Sequence, residues 1–84
     1  MTSDTYIYVL CDDLCEWISD SSRNKTTFSN FKKGLTDLGN HIMNECLLAI
    51  QDVDMQCYYE NGRIYSFLEV SELESITHEV ADKY

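Results

Sequence analysis

The sequence predicts an α+β fold: two N-terminal helices, a two-stranded antiparallel β-hairpin over about residues 54–69, and a short C-terminal helix. Three observations carry that expectation. Apolar residues recur at three-and-four spacing over residues 3–20 and again over 28–50, the period of one helix face. The period falls to two between Val53 and Val70, around an Asn61-Gly62 pair. Ser71-Glu72-Leu73-Glu74 then matches a capping box, with Ser71 as N-cap and Glu74 reaching back from the third helical position. At 84 residues the chain is expected to form one domain, residues 1–84, close to the size at which a single small core suffices.

In the first helix Ile7, Leu10, Cys11, Leu14 and Ile18 share a face, and Asp12, Asp13, Glu16 and Asp20 lie opposite. Ser3 or Asp4 supplies a cap. The β-branched and aromatic run TYIYVLC also suits a strand, but the helical period continues past it to Ile18. SSRNKTT, residues 21–27, is polar and without period, hence a loop. Phe28, Phe31, Leu35, Leu38, Ile42, Cys46 and Ala49 make the second stripe, with Ser29 as its candidate cap. Gly34 and Gly39 each cost about 1 kcal/mol relative to Ala inside a helix, so a kink or break is expected near Gly39-Asn40.

Asn-Gly supplies the two positive-φ positions of a type I′ turn, which fixes the hairpin register. Glu60 falls opposite Arg63, Tyr59 opposite Ile64 and Tyr58 opposite Tyr65, continuing outward through Cys57–Ser66 and Gln56–Phe67 to Met55–Leu68. Alternation then puts Val53, Met55, Cys57, Tyr59, Ile64, Ser66, Leu68 and Val70 on one face, expected to be the core face. Asp54, Gln56, Tyr58, Glu60, Arg63, Tyr65, Phe67 and Glu69 form the other, aromatic at its middle and charged at its ends. A lone two-stranded hairpin is marginal in water, so helices are expected to cover its Val53/Met55/Leu68 side. In the last helix Leu73, Ile76, Thr77 and Val80 point inward, and Glu72, Ser75, Glu79 and Asp82 point out.

The chemistry-bearing residues form no catalytic, cofactor or metal signature. His41 and His78 have no nucleophile motif beside them, and Asp12-Asp13 diverge by about 100° on a helix. No calcium-loop or glycine-rich phosphate-loop pattern occurs. Cys11, Cys15, Cys46 and Cys57 lack the paired spacing of a zinc site and read as reduced core thiols. The acidic N-terminus is unlike a signal peptide, and no apolar run approaches the roughly 20 residues of a membrane span. A cytoplasmic, non-enzymatic protein is the expectation.

Charge says more. The net charge is −9, from fifteen acidic and six basic residues. Four of those bases, Arg23, Lys25, Lys32 and Lys33, cluster between residues 23 and 33, a stretch without any acid. Elsewhere fifteen carboxylates meet only Arg63 and Lys83. Direct nucleic-acid binding is therefore disfavoured, as is an anionic membrane; a basic protein surface is favoured. Asp12, Asp13, Glu16 and Asp20 form one candidate acidic row, and Glu69, Glu72, Glu79 and Asp82 a second. Tyr58, Tyr65 and Phe67 add candidate aromatic anchors beside them. The structural alternative is a solvated acidic face that keeps the chain soluble, with the aromatics buried under a helix or under Trp17. In size, acidity and lack of chemistry the chain resembles the phage-encoded inhibitors of host defences, the anti-CRISPR and anti-restriction proteins. The resemblance covers no motif and assigns no residue a role. It implies an inhibitor that blocks a basic nuclease or nucleic-acid-binding complex as a nucleic-acid mimic. An immunity protein or antitoxin against a basic nuclease fits the same charge, and an aromatic sheet face also suits a homodimer or other oligomerising subunit.

Overall fold

The computed structural model describes the backbone of residues 2–19 and 27–84 and the side chains of residues 6–19 and 27–84. The order is α1 (Thr2–Ser19), α2 (Phe28–Lys32), α3 (Asp37–Val53), β1 (Tyr58–Glu60), β2 (Arg63–Tyr65) and α4 (Val70–Ala81). The α+β architecture is the expected one: N-terminal helices, a hairpin and a C-terminal helix. Helix α1 already includes Ser3 and Asp4, so the cap expected at one of them is not where the helix starts; the acidic Asp20 and the loop residues 21–26 lie outside the described residues.

The inward stripe of α1 is buried throughout at Ile7, Leu10, Cys11, Leu14 and Ile18, so the helical reading of TYIYVLC holds over the strand reading. Helix α1 packs mainly on α4, and α3 closes against both. Cys11, Cys15, Cys46 and Thr77 meet where these three helices touch. Cys11 Sγ lies 3.8 Å from Cys46 Sγ, and Cys15 Sγ lies 3.3 Å from Thr77 Oγ1. The Thr77 hydroxyl also reaches the Glu74 carbonyl, so this buried polar group is satisfied. A second aromatic cluster joins α1 to α2: the Trp17 ring lies 5.7 Å from Phe28 and 5.4 Å from Phe31.

The second helical pattern breaks earlier than expected. Residues 33–36 separate α2 from α3, and Thr36, accepting from the Gly39 amide at 3.1 Å, starts α3 afresh. Gly39 therefore lies in the first turn of a new helix rather than at a kink. The interruption resets the phase of the stripe. Ile42, Met43, Cys46 and Ile50 form the buried face of α3, while Leu38, assigned inward by continuous spacing, is half exposed. The cap of α2 is Thr27, whose hydroxyl accepts from the Asn30 amide, and not Ser29.

The hairpin keeps the expected register, with Tyr58–Tyr65, Tyr59–Ile64 and Glu60–Arg63 paired, but stops after those three pairs. The longer ladder does not form because α3 continues through Val53 and Asp54 caps its C-terminus. The Asp54 carboxylate accepts from the Gln56 amide at 3.0 Å, the Ser66 hydroxyl at 2.8 Å and the Phe67 amide at 2.8 Å. Backbone that a ladder would have paired is thus held by one side chain. The expected core face is corrected accordingly. Ile64 is its one fully buried member; Cys57 and Leu68 are partly buried; Val53, Tyr59 and Val70 are exposed, and Met55 is 91% exposed.

Asn61 and Gly62 both take positive φ, 54° and 76°. The Gly62 carbonyl accepts from the Phe28 amide at 2.6 Å, docking the turn on the start of α2. A Cβ at Gly62 would lie 2.9 Å from the Thr27 side chain. The last helix begins before the expected capping box. Glu69 is the N-cap, its carbonyl accepting from the Glu72 and Leu73 amides, with no side-chain cap. Ser66 Oγ, already fixed by Asp54, accepts from the Leu68 amide at 3.1 Å and turns the chain so that Val70 is helical before Ser71 can cap.

Three outcomes test this frame. Gly62→Ala meets both an unfavourable positive φ and the Thr27 contact, so it is expected to destabilise by about 1–2 kcal/mol or more, read from urea denaturation followed by Trp17 fluorescence. Hydrogen bonds from the Phe67 amide, then the Ser66 hydroxyl, hold the Asp54 carboxyl below its ordinary range. A depressed folded pKa stabilises above the unfolded value near about 4 and is lost as pH falls through the folded value. Asp54→Asn should therefore lower the urea midpoint at neutral pH and flatten its decline on acidification; an unchanged acid limb contradicts the assignment. Burial pushes the Cys15 thiol up to about 11, and the Cys11 hydrogen bond together with burial raises Cys46. In native protein iodoacetamide should modify partly buried Cys57 before the fully buried Cys15 and Cys46, which react only as the chain unfolds, a sequence that peptide mass mapping reads directly.

Candidate partner-binding surface

The two acidic rows belong to neighbouring helices. His78 Nε2 lies 2.8 Å from Asp12 Oδ1, and the Tyr8 hydroxyl donates to the Asp82 carboxylate. Residue 8 meets residue 82 and residue 12 meets residue 78, so α1 and α4 run antiparallel. The Tyr8 ring meets the His78 ring edge-on at 5.0 Å. Beneath that exposed seam the Cys11 thiol donates to the Thr77 carbonyl at 3.5 Å.

The helices sort the candidate carboxylates into two kinds. Asp12 and Asp82 are engaged within the chain and fasten α1 to α4. Asp82 caps the C-terminus of α4, where a carboxylate opposes the helix dipole, and the Tyr8 hydroxyl offsets this by donating to it. Asp13, Glu72 and Glu79 are exposed and make no side-chain hydrogen bond or ion pair with a described residue, although Lys83 lines the same groove as Glu79. Glu16 is also exposed. Glu69 sits at the start of α4, contributing its backbone carbonyl to the first turn while its side chain is exposed. Asp20 lies outside the described residues.

The aromatic candidates do not behave alike. Tyr58 and Tyr65 stack across the hairpin with ring centroids 4.9 Å apart and planes 14° from parallel. Tyr58 is 47% exposed and Phe67 70%, while Tyr65 is partly buried. Trp17 packs instead on Phe28 and Phe31. Sequence reasoning missed Val53, Met55 and Tyr59 as surface residues. The helical spacing of Ile42, Cys46, Ile50 and Val53 signalled that α3 runs past the point at which the strand was expected, but it pointed Val53 inward, whereas Val53 is exposed. The exposed large apolar residues from Val53 to Val70 therefore include Met55, Tyr58, Tyr59 and Phe67, a concentration that marks interaction surfaces.

His41 is exposed and 3.8 Å from Glu45, and His78 faces Asp12; among the described residues neither imidazole is hydrogen-bonded to a thiol or hydroxyl. Among the described residues no group of three His, Cys, Asp or Glu side chains is placed to hold a metal ion. No described helix is long and apolar enough to cross a membrane. An open recess of about 570 Å³ between the end of α1, β2 and the start of α4 is lined by Ile18, Tyr65, Leu68 and Glu69. No protein-family model, no curated protein and no solved structure matches this chain.

Proposed function

We propose that this protein is a non-enzymatic inhibitor whose α1/α4 acidic face docks on the basic, nucleic-acid-binding surface of another protein and blocks it. The observation that carries the reading is the exposure of Asp13, Glu72 and Glu79, unpaired among the described residues, on two helices held antiparallel at one seam. Carboxylates on rigid helices present fixed negative charge, and a partner surface rich in Lys and Arg would complement it. A chain of net charge −9 repels phosphate, so such a protein competes with nucleic acid rather than binding it. The reading fits the bulk likeness to anti-CRISPR and anti-restriction inhibitors, and directs the search for partners toward defence nucleases.

The test is capture from the lysate of the natural host, followed by displacement of the captured partner with duplex DNA. Association should weaken steeply with salt. A triple variant, Asp13→Lys with Glu72→Lys and Glu79→Lys, should retain its helical circular dichroism and lose affinity by about tenfold or more, since each reversal replaces attraction by repulsion. Undiminished binding by that variant, or a partner that holds DNA and this protein together, would sink the proposal.

A further inference from the structure

We infer that the Tyr58–Tyr65 stack is a docking platform for an arginine side chain of a cationic partner segment, resting on the same reading of a basic partner. The stack is not explained by the core. Of the hairpin residues, Ile64 alone is fully buried in the apolar centre, whereas Tyr58 keeps 47% of its surface exposed. An aromatic face is electronegative and attracts a cation placed above it. Carboxylates border the stack: Glu69 lines the same recess as Tyr65, and Glu60, opposite Arg63, shares the strand face of Tyr58.

Lys32 Nζ sits 4.7 Å above the Phe28 ring, and Arg63, on the strand face of Tyr65, stands in register opposite Glu60. Among the described residues no cation lies over Tyr58 or Tyr65. Charge also selects among occupants. A second copy would bring another chain of charge −9, with its own Glu60 and Glu69, against this rim. A nucleic acid would bring phosphates there. A cationic protein segment meets neither penalty. Arginine fits better than lysine because a planar, weakly hydrated guanidinium lies flat on a ring and still donates to flanking carboxylates. Exposed Phe67, whose amide is held by Asp54, offers contact to an apolar residue beside that arginine.

The experiment is an NMR titration of the isotopically labelled full chain with the acetylated, amidated tetrapeptide Arg-Leu-Arg-Leu and with its lysine counterpart. Saturable shifts at the Tyr58 and Tyr65 rings are expected, with the arginine peptide the tighter of the two. Tyr58→Phe should bind as wild type. Tyr58→Leu, which keeps apolar bulk but removes the ring, should weaken binding about fivefold with an unchanged melting temperature. The triple acidic variant of α1 and α4 should leave the ring shifts in place, so a failure of the helical face and a failure of the platform read separately. Equal binding by Tyr58→Leu overturns the inference, as do shifts confined to α1 and α4. Concentration-dependent dimerisation that shields the rings from peptide assigns the stack to a second copy and overturns it as well.

Discussion

One carboxylate decides how the second half of this chain is laid out. Asp54 ends α3, and its two oxygens gather the Gln56 amide, the Ser66 hydroxyl and the Phe67 amide. The entry to β1 and the exit from β2 are therefore tied to one point at the end of a helix. Ser66, held by that carboxylate, accepts from the Leu68 amide and leads the chain into α4. A ladder of backbone pairs would have needed extended residues on both sides. Asp54 satisfies the same donors from a turn, which lets α3 continue to Val53 and keeps the hairpin to three pairs.

How much of this was legible depends on whether a pattern was local or shared between distant segments. The stripe of α1 needed nothing beyond its own spacing, and every member is buried. The Asn61-Gly62 turn and its register were equally local. The failures occurred where a distant residue overrode a local rule. Alternation from Val53 to Val70 looked like two long strands, but Asp54 meets Ser66 and Phe67, twelve and thirteen positions further along the chain, and ends the alternation early. The 28–50 stripe failed for a related reason. Thr36 recaps the chain, and a helix restarted after four non-helical residues does not inherit the previous phase, which is why Leu38 turns outward and Met43 inward.

The candidate surface divides in the same way. Composition made the acidic excess visible, and helical spacing identified which carboxylates shared a row. Neither showed that the rows lie on adjacent antiparallel helices, nor that Asp12 and Asp82 face His78 and Tyr8 across the seam. That pairing separates carboxylates that hold the fold from carboxylates that remain available. Asp13, one residue from Asp12 but about 100° around the helix, falls into the second group for geometric reasons alone.

The hairpin's construction bears on what its outer face is for. Three antiparallel pairs have little stability by themselves, so this hairpin persists through its attachments: Ile64 in the core, the Gly62 carbonyl on the Phe28 amide, and Asp54 at its open end. Those attachments use the inner side, the tip and the base, and none involves the exposed face of the Tyr58 ring. A tyrosine pair retained for stability would be expected to lie under a helix, as Phe28 lies beside Trp17 and under Lys32. Tyr58 and Tyr65 instead stack on each other on the opposite side of the strand from Ile64, held at fixed register by contacts that leave the outer ring face open. A rigid aromatic pair, already ordered and bordered by carboxylates, loses little further entropy when a cation settles on it. That preorganisation distinguishes the stack from the exposed, unpaired Met55 and Phe67, and makes it the more discriminating part of the surface.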